Sequence, residues 1–589
     1  MDRGRPAVSL ERGESHRLGV RNRSGRFDPG LLLWILPLGF LALFFFYPLT
    51  RIFLLSFQRS QVGVLLPIWE TLRSSETLRV LGFTIGQAAI STLLTLLIGL
   101  PGAYLFGRYE FRGKATLRAL SGIPFVLPTV VVAAAFTALL GPRGWINLGL
   151  IRLLGLSGPP ITFINTLTSI LVAHVFYNTT IVLRMVGDFW SHLDPDMEAA
   201  ARTLGANRYQ AWTAVTLPLL SPAILAAALL VFLFDFTSFG VILLLGGPHF
   251  ATLEVEIYYQ TVSLFNLPTA AVLSLLQLAC TLILTAIYTR MSNRLSRPIT
   301  LRRARLTQGR LNTWKRRLGA GILILVLLTL LVSPLAALGL RSFTRYGGAP
   351  RGEQVTQGWT LANYQQLAQN PQSSIFYAPP AAAIRNSLIY ALTTVILSLL
   401  IGAPAAWALV RNGRSRLTRW LDPLLMLPLG TSAVTLGLGF IVALDRPPLD
   451  LRASPLLLPV AHTLVAFPFV VRSLAPALAS IQPDLRQAAS VLGATPRQVL
   501  RFIDLPLVGR ALLVAAVFAF TISVGEFGAT ALIARPENPT VPIAIFRSLS
   551  QPGAINFGQA MALSTILMAV TAAGMLSIER LRLAEVGEF

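Results

Sequence analysis

Two stretches of this 589-residue chain read alike. The first is Asp196-Met-Glu-Ala-Ala-Ala-Arg-Thr-Leu-Gly205-Ala, with Thr216-Leu-Pro218-Leu after it. The second is Asp484-Leu-Arg-Gln-Ala-Ala-Ser-Val-Leu-Gly493-Ala, with Asp504-Leu-Pro506-Leu after it. In both, the proline follows the glycine by 13 positions, and the copies lie 288 residues apart. The same displacement relates Ala173-His174 to Ala461-His462, Arg184 to Arg472, Phe239-Gly240 to Phe527-Gly528, and Pro248 to Pro536. Nearer the start of each half, Pro101 matches Pro404 and Arg108 matches Arg411 at a displacement of 303. A constant offset over many positions marks a duplication. The change of offset places extra residues in the first half, and Gly141 to Pro160 is the obvious segment.

The duplicated unit is built for lipid. The chain is 54% hydrophobic and 13% charged, about half the charge of an ordinary soluble protein. Runs long enough to cross a bilayer fall near 31–56, 81–106, 119–141, 162–187, 221–246 and 268–290. A second set falls near 318–340, 384–409, 421–444, 455–477, 509–534 and 556–578. The expected architecture is an all-α polytopic membrane protein of about twelve transmembrane helices in two homologous six-helix halves. The first half runs over 31–291, with its core repeat over 81–291. The second runs over 318–580, with its core over 384–580. A basic tail (1–30), a basic linker (292–317) and a short C-terminal tail (581–589) flank them. The apolar run after the basic tail is too long for a signal-peptide core and reads as a retained first helix.

The net charge of +24 does not imply nucleic acid, because no basic stretch is interleaved with aromatics for base stacking. The arginines gather in short segments between spans, where they set topology. Arg108, Arg112, Lys114 and Arg118 lie between spans two and three; Arg411, Arg414, Arg416 and Arg419 between spans eight and nine; Arg294 to Arg317 in the linker. All fall on the side of the N-terminus, so both termini and both duplicated loops are expected in the cytoplasm. Both halves start on the same side, making the repeat parallel, with its axis along the membrane normal. The one cysteine, Cys280, rules out an intramolecular disulfide and a Cys-based zinc site.

The loops have the composition of a docking element. Alanine favours helix and keeps it slim, and glycine ends it by adopting the left-handed conformation. A second short helix should then lead to Pro218 or Pro506 at the start of the next span, where proline costs no hydrogen bond. These loops resemble the EAA signature of binding-protein-dependent ABC importer permeases, over two copies of about 210 residues. The resemblance implies a type I importer permease fold in which each loop forms a coupling helix seated on an ATPase subunit. Glu198, Ala199, Ala200, Gly205 and Pro218, with Gln487, Ala488, Ala489, Gly493 and Pro506, would then be the ATPase-coupling residues. The sequence departs from the family in one respect. The usual glutamate, six residues before the glycine, is Ala199 here and Gln487 in the second copy; Glu198 stands one place early, opposite Arg486.

The resemblance also implies partners: an extracytoplasmic solute-binding protein, and two copies of a separate ATPase that uses ATP and magnesium. This chain would carry no cofactor and would not be an enzyme. Its nearest phosphate-loop likeness, Gly107-Arg-Tyr-Glu-Phe-Arg-Gly113-Lys114-Ala115, has its glycines one residue too far apart and lacks the Ser or Thr that holds magnesium. Localisation follows as a multi-pass protein of the bacterial cytoplasmic membrane. Gly141-Pro-Arg-Gly-Trp-Ile-Asn-Leu, Ala173-His-Val-Phe-Tyr-Asn178 and the 237–260 stretch look like the fused permeases of thiamine and ferric-iron importers. Gly525-Glu-Phe-Gly-Ala-Thr530 also resembles the molybdate and sulfate relatives, which are unfused. A secondary transporter of six plus six helices is the alternative. Its loop signature, Gly-x-x-x-Asp-Arg-x-Gly-Arg, is not met, because Phe111 stands four places after Gly107.

Several polar residues fall inside the apolar runs, where charge costs about 2.5–3.5 kcal/mol on insertion scales. Asp235 matches Ser523, and Ser238 matches Glu526, so each half holds one acid about a helical turn from its mirror position. Two readings stand: a polar translocation pathway tolerant of a cation, or acids hydrogen-bonded to neighbouring helices. The duplicated His174 and His462 admit the same pair of readings, as gate or as interhelical bond. No metal-ligand spacing accompanies them. Pro124, Pro128, Pro423 and Pro428 interrupt spans, and 341–383 reads as an outward loop.

Overall fold

The computed structural model describes residues 32–57, 66–295, 307–344, 358–368, 378–411, 416–445 and 449–586. The basic tail 1–30, the linker core 296–306 and much of the 341–383 loop lie outside them. Eleven helices among the described residues are long and apolar enough to cross a membrane. A pair bent by 94°, Thr418–Gly430 and Ala433–Ala443, makes twelve if it counts as one span. The bend has a local cause. Pro428 opens the last turn of the first piece, and the Ser432 hydroxyl accepts the amides of Val434 and Thr435 to start the second. The all-α expectation holds, apart from a two-residue parallel ladder joining Tyr109–Glu110 to Gly309–Arg310.

The duplication is visible in the packing. Ser75–Arg108 lies along Leu167–His192, and Pro380–Arg411 lies along Leu457–Ala479. In each pair a glycine lets the backbones meet. A methyl group on Gly99 would come within 2.7 Å of Val182, and one on Gly402 within 2.7 Å of Val470. These four residues match across the repeat.

Two expected spans stop short. The run 221–246 is a helix only to Phe236; residues 237–239 break it, and Gly240–Leu245 resumes as a separate short helix. Likewise the run 509–534 ends at Gly525 and resumes at Gly528–Ile533. Hydropathy does not register these breaks because the few polar residues at them, Thr237, Ser238 and Glu526, are flanked by long apolar runs.

The leading helix of each half serves as a strap on the other half. Leu33–Ser56 packs along Pro380–Arg411 and Ala433–Ala443, where Trp34, Leu41 and Phe45 join a buried cluster with Ile401, Leu436 and Phe467. Trp314–Ser342 packs along Thr129–Leu140, and its Leu331 and Leu338 are buried among Val130 to Ala138. The Trp145 indole donates to the Ala337 carbonyl at 3.3 Å. A salt bridge from Arg184 to Glu579, at 3.4 Å, also joins the halves. The largest apolar core is accordingly shared, drawing on both repeats.

Candidate functional site

At one end of the bundle each duplicated loop forms an exposed helix, Asp196–Thr203 and Pro483–Val491, neither with a buried residue. Both end the same way. The Gly205 amide donates to the Arg202 carbonyl and the Ala206 amide to that of Ala201, each at 3.1 Å. The Gly493 amide donates to Ser490 and the Ala494 amide to Ala489, each at 3.0 Å. This paired pattern requires a left-handed residue, and Gly205 and Gly493 supply it at φ +98° and +87°. The next helix starts on a capping box in both copies: Asn207 with Gln210, and Thr495 with Gln498. The Asn-x-x-Gln and Thr-x-x-Gln spacing is the sequence signal for these starts.

The helix that follows does not stop before the proline. It runs unbroken from Arg208 to Phe236 and from Pro496 to Gly525, against the expectation of a separate short helix with proline at the head of the span. Each copy widens into a π turn just before the proline, over Trp212–Thr216 and Leu500–Asp504. The wider turn relieves the clash between the pyrrolidine ring and the carbonyl four residues back.

The unusual pair Glu198 and Arg486 now has a physical account. Glu198 accepts from the Thr216 hydroxyl at 3.2 Å and pairs with Arg108 at 3.6 Å. Arg486 donates to Asp504 at 2.7 Å and lies over the Trp407 ring at 5.7 Å. Positions 198 and 486 match, as do 216 and 504. Each loop helix is therefore braced to its following span at the same place, with the acid on the loop in one half and on the span in the other. Ala199, Ala200, Gln487 and Ala488 face solvent, Ala489 is half-buried, and Pro218 and Pro506 are exposed. The apolar tips are Leu204, 89% exposed, and its match Leu492, 88% exposed.

Removing the second brace gives a defined expectation. Arg486→Ala leaves the Asp504 carboxylate, 3% exposed, without its partner, at about 1–3 kcal/mol. The melting temperature in detergent should fall, and Arg486→Ala/Asp504→Ala should recover part of the loss, as coupled neighbours do. A double variant no more stable than the single one would count against the brace. On the first half's loop side, the start of the described linker is stitched down. Gln308 donates to the Phe106 carbonyl at 3.4 Å and Thr307 to that of Ser191. A cavity of about 860 Å³ lies there, lined by Tyr104, Arg108, Trp190, Glu198 and Gln308 among others.

The five polar candidates come together as two buried networks at the helix breaks. In the first half His174 reaches the Ser91 hydroxyl at 3.1 Å through Nδ1 and the Ser238 hydroxyl at 2.8 Å through Nε2. Its Nδ1 lies 3.4 Å from Asp235, which accepts from Asn178 at 2.7 Å. In the second half His462 meets Ser523 at 2.8 Å through Nδ1 and Thr530 at 2.9 Å through Nε2, with Glu526 at 3.4 Å. Glu526 accepts the amides of Ala529 and Thr530 at 2.8 and 3.0 Å. Each imidazole thus pins a broken span to the strand of chain beyond the break, and the acid has changed sides of the ring between repeats. His174, Asp235, His462 and Glu526 are buried, and Ser238 is half-buried. Among the described residues no three His, Cys, Asp or Glu side chains converge as metal ligands would.

Between the halves lies a row of four aromatic rings that sequence reading did not assemble. Phe239 and Phe527 stack on each other at 5.5 Å between centroids and 24° between planes. Tyr258 flanks Phe239 at 5.5 Å, and Phe546 flanks Phe527 at 5.5 Å. Tyr258 and Phe546 also match at the 288-residue offset, so the offset was the available signal. The glycine after each phenylalanine lets the break nest: a methyl group on Gly240 would collide with the Thr129 hydroxyl, and one on Gly528 would lie 2.9 Å from Ala433.

Comparison with known proteins places the chain in a family. The family model described as "Binding-protein-dependent transport system inner membrane component" matches twice, over residues 99–297 and 395–581. The chain is 27% identical to the "Probable ABC transporter permease protein y4fN" of Sinorhizobium fredii, covering 88% of this chain and 90% of that one. It is 26% identical to the "Thiamine transport system permease protein ThiP" of Salmonella typhimurium (83% and 87% covered) and 28% identical to that of Brucella abortus (85% and 87%). A chain of a bacterial importer of the acidic polysaccharide alginate aligns over 45% of this chain and 96% of its own, with 18% identity and a TM-score of 0.38. With two family units in one polypeptide, this multi-pass membrane protein belongs to the binding-protein-dependent inner membrane components, the permease subunits of ABC importers.

Proposed function

We propose that the chain is the whole translocation unit of an importer that takes up thiamine, its two halves (31–291 and 318–580) flanking one pathway. The loop helices face the cytoplasm and seat two copies of an ATPase that supplies the hydrolysis. A solute-binding protein delivers at the opposite face of a bacterial cytoplasmic membrane, and both chain termini are cytoplasmic. The observation that carries this reading is the matched pair of exposed loop helices, each braced to its span and tipped by a bare leucine. Leu204 and Leu492 stand at equivalent places in the two repeats, with Tyr209 and Val491 also exposed close by in the chain, and apolar surface gathered in this way suits a partner's seat. In this reading Ala199, Ala200, Gly205, Pro218, Gln487, Ala488, Ala489, Gly493 and Pro506 shape the seat. Asp235, Ser238, Glu526, His174 and His462 hold the breaks beside the pathway.

Thiamine is favoured over ferric iron by the likeness to the thiamine transport permeases of Salmonella typhimurium and Brucella abortus, which spans most of both chains. The test is uptake of labelled thiamine into proteoliposomes holding this chain, its ATPase and its binding protein. Uptake should require ATP on the loop-helix side and be indifferent to an imposed ion gradient. Uptake driven by a proton or sodium gradient without nucleotide would overturn the reading.

A further inference from the structure

We infer that the row Tyr258–Phe239–Phe527–Phe546 is the closure of the pathway and also its recognition element, accepting a planar aromatic cation between Phe239 and Phe527. The inference rests on the thiamine reading for the substrate and on geometry for the closure.

The placement comes first. The two central rings are equivalent residues of the two repeats and touch only across the boundary between the halves. Equivalent residues of a parallel repeat meet each other only near the pseudo-twofold axis. A pathway formed between the halves follows that axis, so it must pass these rings. They are closed in this structure, Phe239 being 5% and Phe527 3% exposed. Each ring stands at a helix break rather than inside a helix. A break lets it swing with its short following helix, Gly240–Leu245 or Gly528–Ile533, without bending a full span.

Chemistry comes second. Four aromatic faces in a row present negative quadrupoles to whatever enters between them, which suits an organic cation. A flat ring held between two others needs about 7 Å, twice the ordinary carbon contact distance. Phe239 and Phe527 already stack in contact, so the halves must part at this level by one ring thickness, about 3.5 Å, to admit one. Glu526 is the residue before Phe527 and is fixed by the Ala529 and Thr530 amides, placing a carboxylate beside the clamp. Aliphatic side chains of similar bulk would seal the route equally well but would not bind the cation.

That difference separates the two roles. Phe239→Leu/Phe527→Leu keeps apolar bulk and loses the rings; Phe239→Ala/Phe527→Ala loses both; Phe239→Tyr keeps the ring. All are reconstituted with ATPase and binding protein. The leucine pair should hold preloaded thiamine in the vesicles yet take up thiamine about tenfold more slowly, the scale of one or two lost cation–π contacts. The alanine pair should leak preloaded thiamine without ATP. Phe239→Tyr should transport within about twofold of the parent and so controls for folding. Leucine-pair uptake equal to the parent's overturns the clamp, and a tight alanine pair overturns the closure. If the parent complex itself takes up no thiamine, the substrate reading fails and takes the clamp with it, whereas a parent that transports while the leucine pair does so equally well condemns the clamp alone.

Discussion

Leu204→Glu/Leu492→Glu should leave the permease folded and strip it of its ATPase. Both side chains are almost wholly in water, at 89% and 88% exposure, so a charge there disturbs no packing in the chain itself. Seated in a partner's groove, each leucine contributes about 1.5–3 kcal/mol of burial. Losing both, and desolvating two carboxylates instead, weakens attachment by at least about two orders of magnitude. Co-purification in mild detergent reads this directly: the parent chain should retain the ATPase through size exclusion, and the double variant should elute alone at an unchanged melting temperature. Retention of the ATPase by the double variant would mean that it sits elsewhere, and the proposed coupling would fail with it.

A second large effect is expected from Gly205→Val and Gly493→Val, which should uncouple rather than detach. No atom lies within 4 Å of where a side chain would begin at either position, so valine meets no clash. Its cost is conformational. At φ +98° and +87° a β-branched residue is strained by about 1–2 kcal/mol, and the paired carbonyl bonds that end the loop helix are given up. The helix then no longer points its tip as the brace at Glu198 or Arg486 sets it. ATP hydrolysis should continue while thiamine uptake falls about tenfold, the rate equivalent of that strain. Gly→Asn at the same positions, where asparagine tolerates the left-handed region, should restore most of the uptake. Equal loss in the valine and asparagine variants would point to side-chain bulk rather than backbone conformation.

Much of this was legible in the primary structure, and what was hidden was hidden for physical reasons. Spans could be read because lipid demands about twenty apolar residues and little else. The loop helices and their glycines could be read because the pattern is local and occurs twice. The breaks after Phe236 and Gly525 could not, since Ser238 and Glu526 satisfy histidines from another helix and the flanking residues stay apolar. The brace was masked by its own exchange of charge: Glu198 and Arg486 look like a departure until Thr216 and Asp504 are seen opposite them. Phe239 and Phe527 were flagged by the repeat, but a repeat gives correspondence and not contact. Chain order also misled about neighbours, since it puts each leading helix with the half that follows it.

That last exchange has a consequence for biogenesis. Leu33–Ser56 is made long before most of its seat, on Pro380–Arg411 and Ala433–Ala443, although its second part also packs on Leu267–Leu295. During synthesis its Trp34 and Phe45 must wait in the lipid for their partners in the second half, while Trp314–Ser342 finds Thr129–Leu140 already made and only its contact with Ala554–Val586 outstanding. Membrane quality control therefore meets a leading helix with one face open to lipid until the second half is made.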